Sequence, residues 1–406
     1  MVTTTLATVD NLLKEIYEPG LNDQLNNATK TLTRIEKTSD GVEHDVGGKY
    51  VSFAIRTKRN NGIGARLEME ALPAAGQQAY ERARVGLKYL YGSLELTGQT
   101  LELAKTNEQA FVNVLDAEMA GIKQTLAKDT NRQVYGTSTG KFGTANAVGT
   151  TTTLVVPNEQ NIYFEVGQVI DIYDNADAVR ASGKTITAIS VGASNTTITF
   201  TTASGTATAS GDYAVRAGNR AKEIIGLSEI IGTSNTVYNI NPATVPVWQS
   251  VVNANGGTNR ALSEGLMIKL VDDIGDLGGG MPTVIFCSRG VRRSYFNLLV
   301  QQRQFVNTQK FEGGFTGLAF TTDDGEIPVV SDVDCPKNKM FAVNEKELKF
   351  YAANDWGFMN RDGSMWQRVI NSSGNFDAYD ATLFKYCELG THRRNAHGML
   401  SDITEG

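Results

Sequence analysis

Cysteine and histidine are both scarce, at three residues each. Cys287, Cys335 and Cys387 lie far apart and form no C-x-x-C pair. That excludes a disulfide framework and a thiolate metal site and leaves buried free thiols as the expectation. Of His44, His392 and His397 only the last two are neighbours, and their spacing fits neither one helix face nor one strand face, so no metal pair is expected. Basic residues are outnumbered, with 38 Lys and Arg against 44 Asp and Glu and a net charge of −6. A protein that wraps nucleic acid tightly needs the opposite balance. No apolar run approaches the ~18 residues of a membrane span. The start at Met1-Val-Thr-Thr-Thr lacks the basic and apolar regions of a secretory signal. The expectation is a protein made and kept in a cytoplasm, with no membrane partner. Proline is rare beside glycine, 8 against 41, which points to tight turns and bulges in β structure and to few, long helices.

What is present is a chain of 406 residues with 41% hydrophobic content, enough for two or three domains with substantial cores. Two stretches imitate catalytic motifs. The octapeptide AVRASGKT, Ala178 to Thr185, resembles a phosphate-binding loop but has Ala178 where the first glycine must let the backbone curl. A helix must also begin at the Lys-Thr to complete the anion site. Here Thr185 to Val191 alternates with period two and is rich in β-branched residues, so it reads as a strand, and the octapeptide as a turn between strands. Ser288, at a strand-to-helix turn upstream of His392, imitates a hydrolase nucleophile. Phe286 stands where that elbow needs glycine, so Ser288 reads as a helix N-cap. No catalytic residue, cofactor or metal is assigned, and the chain is not read as an enzyme.

Along the chain, Leu6 to Tyr17 and Leu21 to Ile35 are short amphipathic stretches broken by Pro19-Gly20, an arm with too little apolar surface to fold alone. Tyr50 to Thr57 alternates Val51, Phe53 and Ile55 with more polar residues, and Leu87 to Leu96 is its expected return strand. The connection from Lys58 to Gly86 is far longer than an ordinary hairpin loop and should project from the body. Its mixed charges suit either a solvated loop or a reaching arm, and in the second reading Arg59, Arg66, Glu68 and Glu70 are candidate contacts to another subunit.

Thr106-Asn-Glu-Gln109 is a capping box opening a helix whose Phe111, Leu115, Met119, Ile122 and Leu126 recur every three or four residues, with Gly136 at the stop. About thirty residues at 1.5 Å each make a rod of roughly 45 Å. It should pack on a sheet along one side, with Lys123, Lys128, Asp129 and Arg132 elsewhere. From Thr150 to Gly218 the composition turns to Thr, Val, Ile, Ala and Gly in five strand-like runs, a separate small β domain. Beyond Arg220 the texture is mixed α/β, with a helix over Leu262 to Leu277, a buried strand Pro282 to Cys287 and a helix from Arg289 to Gln301. Met340 to Tyr351 reads as one long strand, Trp356 to Gly363 as a loop and Met365 to Ile370 as a return strand. Trp356, Phe358, Arg361 and Asp362 at the loop tip have the composition of an interface, local packing being the alternative.

This order of elements, with the closing run Ala381 to Gly398, resembles the major capsid protein of tailed bacteriophages, the Hong Kong 97-type shell fold. The resemblance covers the chain apart from residues 150 to 218. It implies an α+β architecture with an N-terminal arm over 1–45, an extended hairpin loop over 46–104, and the spine helix of a peripheral domain over 105–149. It further implies an axial α/β domain over 219–339, peripheral strands and loop over 340–375, and a C-terminal return to the axial domain over 376–406; the small all-β domain over 150–218 is an insert that departs from the minimal fold. The function it implies is self-assembly, as hexamers and pentamers, into the icosahedral head of a virion around double-stranded DNA. Scaffolding, portal and decoration proteins would be partners, with only loose contact to DNA and assembly in the host bacterial cytoplasm. A cargo-enclosing bacterial compartment of the same architecture is the alternative. Members with a built-in scaffold carry a long helical propiece before the arm. Here the arm starts almost at Met1, so a separate or removed scaffold is expected.

Overall fold

A computed structural model describes residues 28–38, 42–43, 50–99, 108–201, 203–278, 280–301, 309–310, 316–322, 325–360, 363–371 and 374–406. The first helix, α1 (Lys30–Thr38), buries Leu32 and Ile35 in the main core, so this end of the N-terminal segment lies on the chain's own body. The stretch Leu6 to Tyr17 lies outside the described residues. After the short β1 (Val42–Glu43), β2 (Tyr50–Lys58) and β3 (Ala79–Gly86) form an antiparallel hairpin with Val51 opposite Val85 and Phe53 opposite Ala83. This corrects the expected pairing of Tyr50 to Thr57 with Leu87 to Leu96. The true return strand was hidden because Ala83 and Val85, its two fully buried residues, sit among the exposed Glu81, Arg82 and Arg84. β4 (Lys88–Thr97) belongs to another sheet, and the projecting connection shrinks to residues 59–78.

α2 (Glu108–Tyr135) has 28 residues, about 42 Å of helix; Thr106 of the capping box lies outside the described residues. Ile122 and Leu126 press on β4 at Gly92, where a Cβ would stand 2.6 Å from a Leu126 methyl. The one-sided packing expected of this helix fails at its C-terminal end, where Thr130 to Tyr135 are all buried. Lys128 and Arg132, placed off the apolar stripe, meet Asp334 at 2.8 Å and Glu223 at 2.6 Å. Elements distant in sequence close over this end, which a local apolar stripe cannot reveal.

Six strands follow: β5 (Gly143–Thr144), β6 (Thr153–Pro157), β7 (Val169–Tyr173), β8 (Val179–Val191), β9 (Asn195–Phe200) and β10 (Tyr213–Arg216). They pair in the order β5-β10-β7-β8-β9-β6, and a bridge between Ala147 and Val155 joins the two ends into a closed barrel. Leu154, Val156, Ile170, Ile172, Ile186, Ile198 and Phe200 fill its interior, the alternation expected of small barrels. AVRASGKT is not the expected turn, because Val179 onward already belongs to β8. Ala181 lies opposite Ile172 and Lys184 opposite Ile170, and at the bulge between them Gly183 has φ of 62°. Asp171 accepts from Ser182 Oγ at 2.7 Å and from the Gly183 amide at 2.8 Å. A carboxylate therefore fills the bend that a phosphate would need.

The rest comprises β11 (Val251–Asn253), α3 (Glu264–Gly278), β12 (Val284–Cys287), α4 (Arg289–Gln301), β13 (Gln309–Lys310), β14 (Thr316–Thr322) and β15 (Gly325–Ser331). Then come β16 (Met340–Val343), β17 (Leu348–Ala352), β18 (Gly357–Phe358), β19 (Gln367–Asn371), β20 (Gly374–Thr391) and β21 (Gly398–Leu400). A seven-stranded sheet runs β11-β21-β16-β12-β15-β14-β13. One face carries α3 and α4 over Ile285, Cys287, Val329 and Met340. The other joins the main core through Val284, Phe286 and Phe341, packed against Tyr135 of α2. Met340 to Tyr351 is not one strand. Asn344 turns the chain, its side chain accepting from the Lys346 amide at 3.1 Å, so β16 and β17 enter different sheets. β20 organises the second sheet, pairing with β4, β17, β18 and β19. The expected return of Met365 to Ile370 onto the 340–351 segment is replaced by β19 on β20.

Candidate assembly surfaces

The hairpin β2–β3 ends in the loop 59–78, and its tip exposes four large apolar side chains: Ile63 (83%), Leu67 (77%), Met69 (101%) and Leu72 (84%). Exposed apolar groups of this size at one tip mark a contact surface. Two of the charged candidates shape the tip from inside. Arg66 donates to the carbonyls of Ala71 and Ala65, each at 2.8 Å, and Glu70 accepts from the Leu67 amide at 2.9 Å. Glu68 is exposed between them, and Met69 takes a left-handed φ of 65°. Sequence reading named the charges of this loop and missed its apolar residues. Their signal was four large apolar side chains in a connection with no strand or helix periodicity.

Arg59 opens the loop and, with Arg56 and Lys58, lines a groove of about 850 Å³ whose wall also includes Trp248, Asp276, Leu277 and His392. Trp356 and Phe358 are half-buried. Lys385 Nζ lies 5.5 Å from the Trp356 ring and 5.1 Å from Phe350, and Lys123 Nζ lies 6.0 Å from the Phe358 ring. Each aromatic thus has a local partner on its own sheet or on α2. Arg361 and Asp362 lie outside the described residues.

Ionic contacts bind the barrel to α2, and α1 to the segment from Asp332 to Glu345. Burial opposes the charge of Asp129, but Arg132 and Arg216 overcome this and hold its carboxyl below the usual range. Burial prevails at Glu223, whose carboxyl is pushed up. Asp332 accepts from the Thr31 amide at 3.0 Å, and Arg34 pairs with Glu345 at 2.6 Å, fixing α1.

Elsewhere the polar chemistry is structural. Ser288 Oγ accepts from the Val291 amide at 3.2 Å as the cap of α4 and also bonds Glu405, while His392 Nε2 bonds Tyr351 at 2.9 Å. The three cysteines are free and buried. Among the described residues no cluster of His, Cys, Asp and Glu could hold a metal ion, and no helix is long and apolar enough to cross a membrane. The C-terminal run also hides Glu388, Arg394 and His397, whose burial sequence reading did not foresee.

An arm helix, a projecting hairpin, a long helix and a closing strand shared by several partners define the α+β shell fold of Hong Kong 97 type. The capsid asymmetric unit of cyanophage A-1(L) superimposes with a TM-score of 0.61 at 16% identity over 99% of this chain and 100% of that one. The capsid of a native GTA particle does so at 0.51 and 9% over 99% and 100%. The model of the SU10 major capsid protein family matches residues 201–404, half of the chain. The chain belongs to that family of shell-forming structural proteins. No curated protein matches.

Proposed function

We propose that this chain is the major capsid protein of a tailed bacteriophage, assembling into an icosahedral head around double-stranded DNA. The observation that carries the reading is the exposed apolar tip of the hairpin: Ile63, Leu67, Met69 and Leu72 are uncovered among the described residues. Repeated contacts of this kind, weak singly, gain strength through closed symmetry and multivalency.

In this reading α2 is the spine of the peripheral domain, the sheet around β20 is its wall, and the seven-stranded sheet is the axial domain. The barrel β5–β10 is an insert on the outer surface. The loop 59–78, with Arg59 and Glu68, grips a neighbouring subunit, and the loop bearing Trp356, Phe358, Arg361 and Asp362 lies near threefold contacts. Scaffolding, portal and decoration proteins are its partners. The net charge of −6 suits a container that holds DNA without condensing it on its wall.

Electron microscopy of the chain expressed alone and with a candidate scaffold tests this. Rings or closed shells with nuclease-protected DNA are expected in the complete system. Shells that instead enclose a co-purifying enzyme would move the reading to a cargo compartment, and a chain that never assembles would overturn it.

A further inference from the structure

The two helices on the outer face of the seven-stranded sheet carry opposite charge. α3 has Glu264, Asp272, Asp273 and Asp276 against the single Lys269, which is tied to Asp273 at 2.9 Å. α4 has Arg289, Arg292 and Arg293 and no acidic residue. Both bury one stripe in the same core: Met267, Leu270, Val271 and Ile274 from α3, Val291, Tyr295 and Leu299 from α4. Their remaining faces point away from the sheet.

On α4 the exposed residues Arg289, Arg292, Arg293 and Phe296 follow the i, i+3, i+4, i+7 spacing of a single face. Arg293 donates to the Gly406 carbonyl at 2.6 Å; Arg289 and Arg292 form no ion pair among the described residues. On α3, Asp272 and Asp276 are exposed beside Ile268. Phe296 is 53% exposed and Ile268 44%. The helices do not satisfy one another, because α3 packs over β11 and β21 and α4 over β15, with β16 and β12 between.

We propose that the α4 face of one copy docks on the α3 face of the next. Three guanidinium groups flanking an aromatic on one side meet carboxylates flanking an aliphatic on the other. Each copy offers both faces, so the contact is head-to-tail and repeats around a closed ring. It rests on the shell-forming reading and names the surfaces that read partner and register within it. A nucleic-acid partner for α4 fits less well. Phosphate binding gains from an extended basic field, and the carboxylates of α3 lie on the same helical layer.

The test is a charge swap in the full chain. Arg289→Glu with Arg292→Glu makes both faces acidic; Asp272→Lys with Asp276→Lys makes both basic; the fourfold variant exchanges the signs. All four positions are exposed, and thermal melts identify any variant that fails to fold. Ring and shell formation is followed by light scattering and microscopy beside the native chain. Each double variant is expected to need a protein concentration higher by about tenfold or more, and the fourfold variant to recover. Equal assembly of native and double variants overturns the contact alone. A native chain that stays single overturns the shell reading and this contact with it. Arginine variants that assemble normally but retain less DNA mark α4 as a nucleic-acid surface and also overturn the proposal.

Discussion

Gly62 and Gly76 stand back to back across the projecting loop. A Cβ on Gly62 would lie 2.7 Å from the Gly76 amide nitrogen, and one on Gly76 would lie 2.6 Å from that of Gly62. Only two hydrogens fit there, and Asn60 closes the crossing by accepting from the Gly62 amide at 2.8 Å. Gly76→Val must therefore spread the two arms and displace the apolar tip. Because the loop contributes nothing to the buried core, the melting temperature should stay close to the native value while assembly is lost. A variant that assembles normally would show that the loop's shape is immaterial.

Glu388 predicts a pH dependence. It is fully buried, Oε1 accepts from the amides of Ile225 at 2.7 Å and Leu389 at 3.0 Å, and Oε2 finds no partner among the described residues. Burial pushes its carboxyl up from 4.5 to about 8 against those hydrogen bonds. The unfolded chain then loses this proton first, so stability is full below pH 4.5 and falls as pH rises through about 8. Glu388→Gln should gain on the native chain by a few kcal/mol between pH 5 and 9, read by urea unfolding across that range. Parallel curves would contradict this.

His397 acts in the other direction. Its Nδ1 accepts from the Asn344 amide at 3.2 Å, so the proton sits on Nε2 and is donated to Thr391 Oγ1 at 2.8 Å. Burial lowers its pKa from 6.5 to about 3. The unfolded chain takes up this proton first, and the stability present above pH 6.5 is lost as pH falls toward 3. His397→Asn should cost about 1–3 kcal/mol at neutral pH, and its difference from native should shrink steadily in acid. A constant difference from pH 7 to pH 4 would exclude the histidine as the source.

Arg394, fully buried, has no carboxylate partner among the described residues. It donates to the carbonyls of Ile230, Asn235 at 2.9 Å and Glu229 at 3.3 Å, and to Asn235 Oδ1, tying the C-terminal run to the helical turn at Leu227–Ile230. Burial lowers its pKa to about 10, so it remains charged at neutral pH. Arg394→Lys keeps the charge but cannot span four acceptors in one plane, and should destabilise by about 3 kcal/mol in chemical unfolding. A change below about 0.5 kcal/mol would mean that the acceptors find other donors.

Local periodicity made much of this fold legible. The later runs of the barrel, the helices α3 and α4 and the cap at Ser288 lie close to where the residues alone placed them, whereas β5 precedes the expected start at Thr150 and β8 begins inside the octapeptide read as a turn. Pairing was harder. Nothing near Tyr50 says that Ala79 to Gly86 rather than Leu87 to Leu96 will be its partner, because β4 is claimed by β20 almost three hundred positions later. The same distance concealed Arg394, His397 and Glu388. In the run KYCELGTHRRNAHG they look like ordinary surface polar residues, and only the tertiary closure around them supplies their burial and their acceptors. Arg66 and Glu70 were legible as charges of a reaching loop, but their use inside the tip depends on a backbone turn at Met69 that no propensity announces.

The claim on which the rest depends is that copies of this chain complete one another through the hairpin tip. Its most direct test replaces Ile63, Leu67, Met69 and Leu72 together with serine and compares the mass distribution with that of the native chain under assembly conditions. The account predicts rings or shells from the native chain and a folded, single subunit from the variant. Indistinguishable distributions, assembled or not, would contradict it.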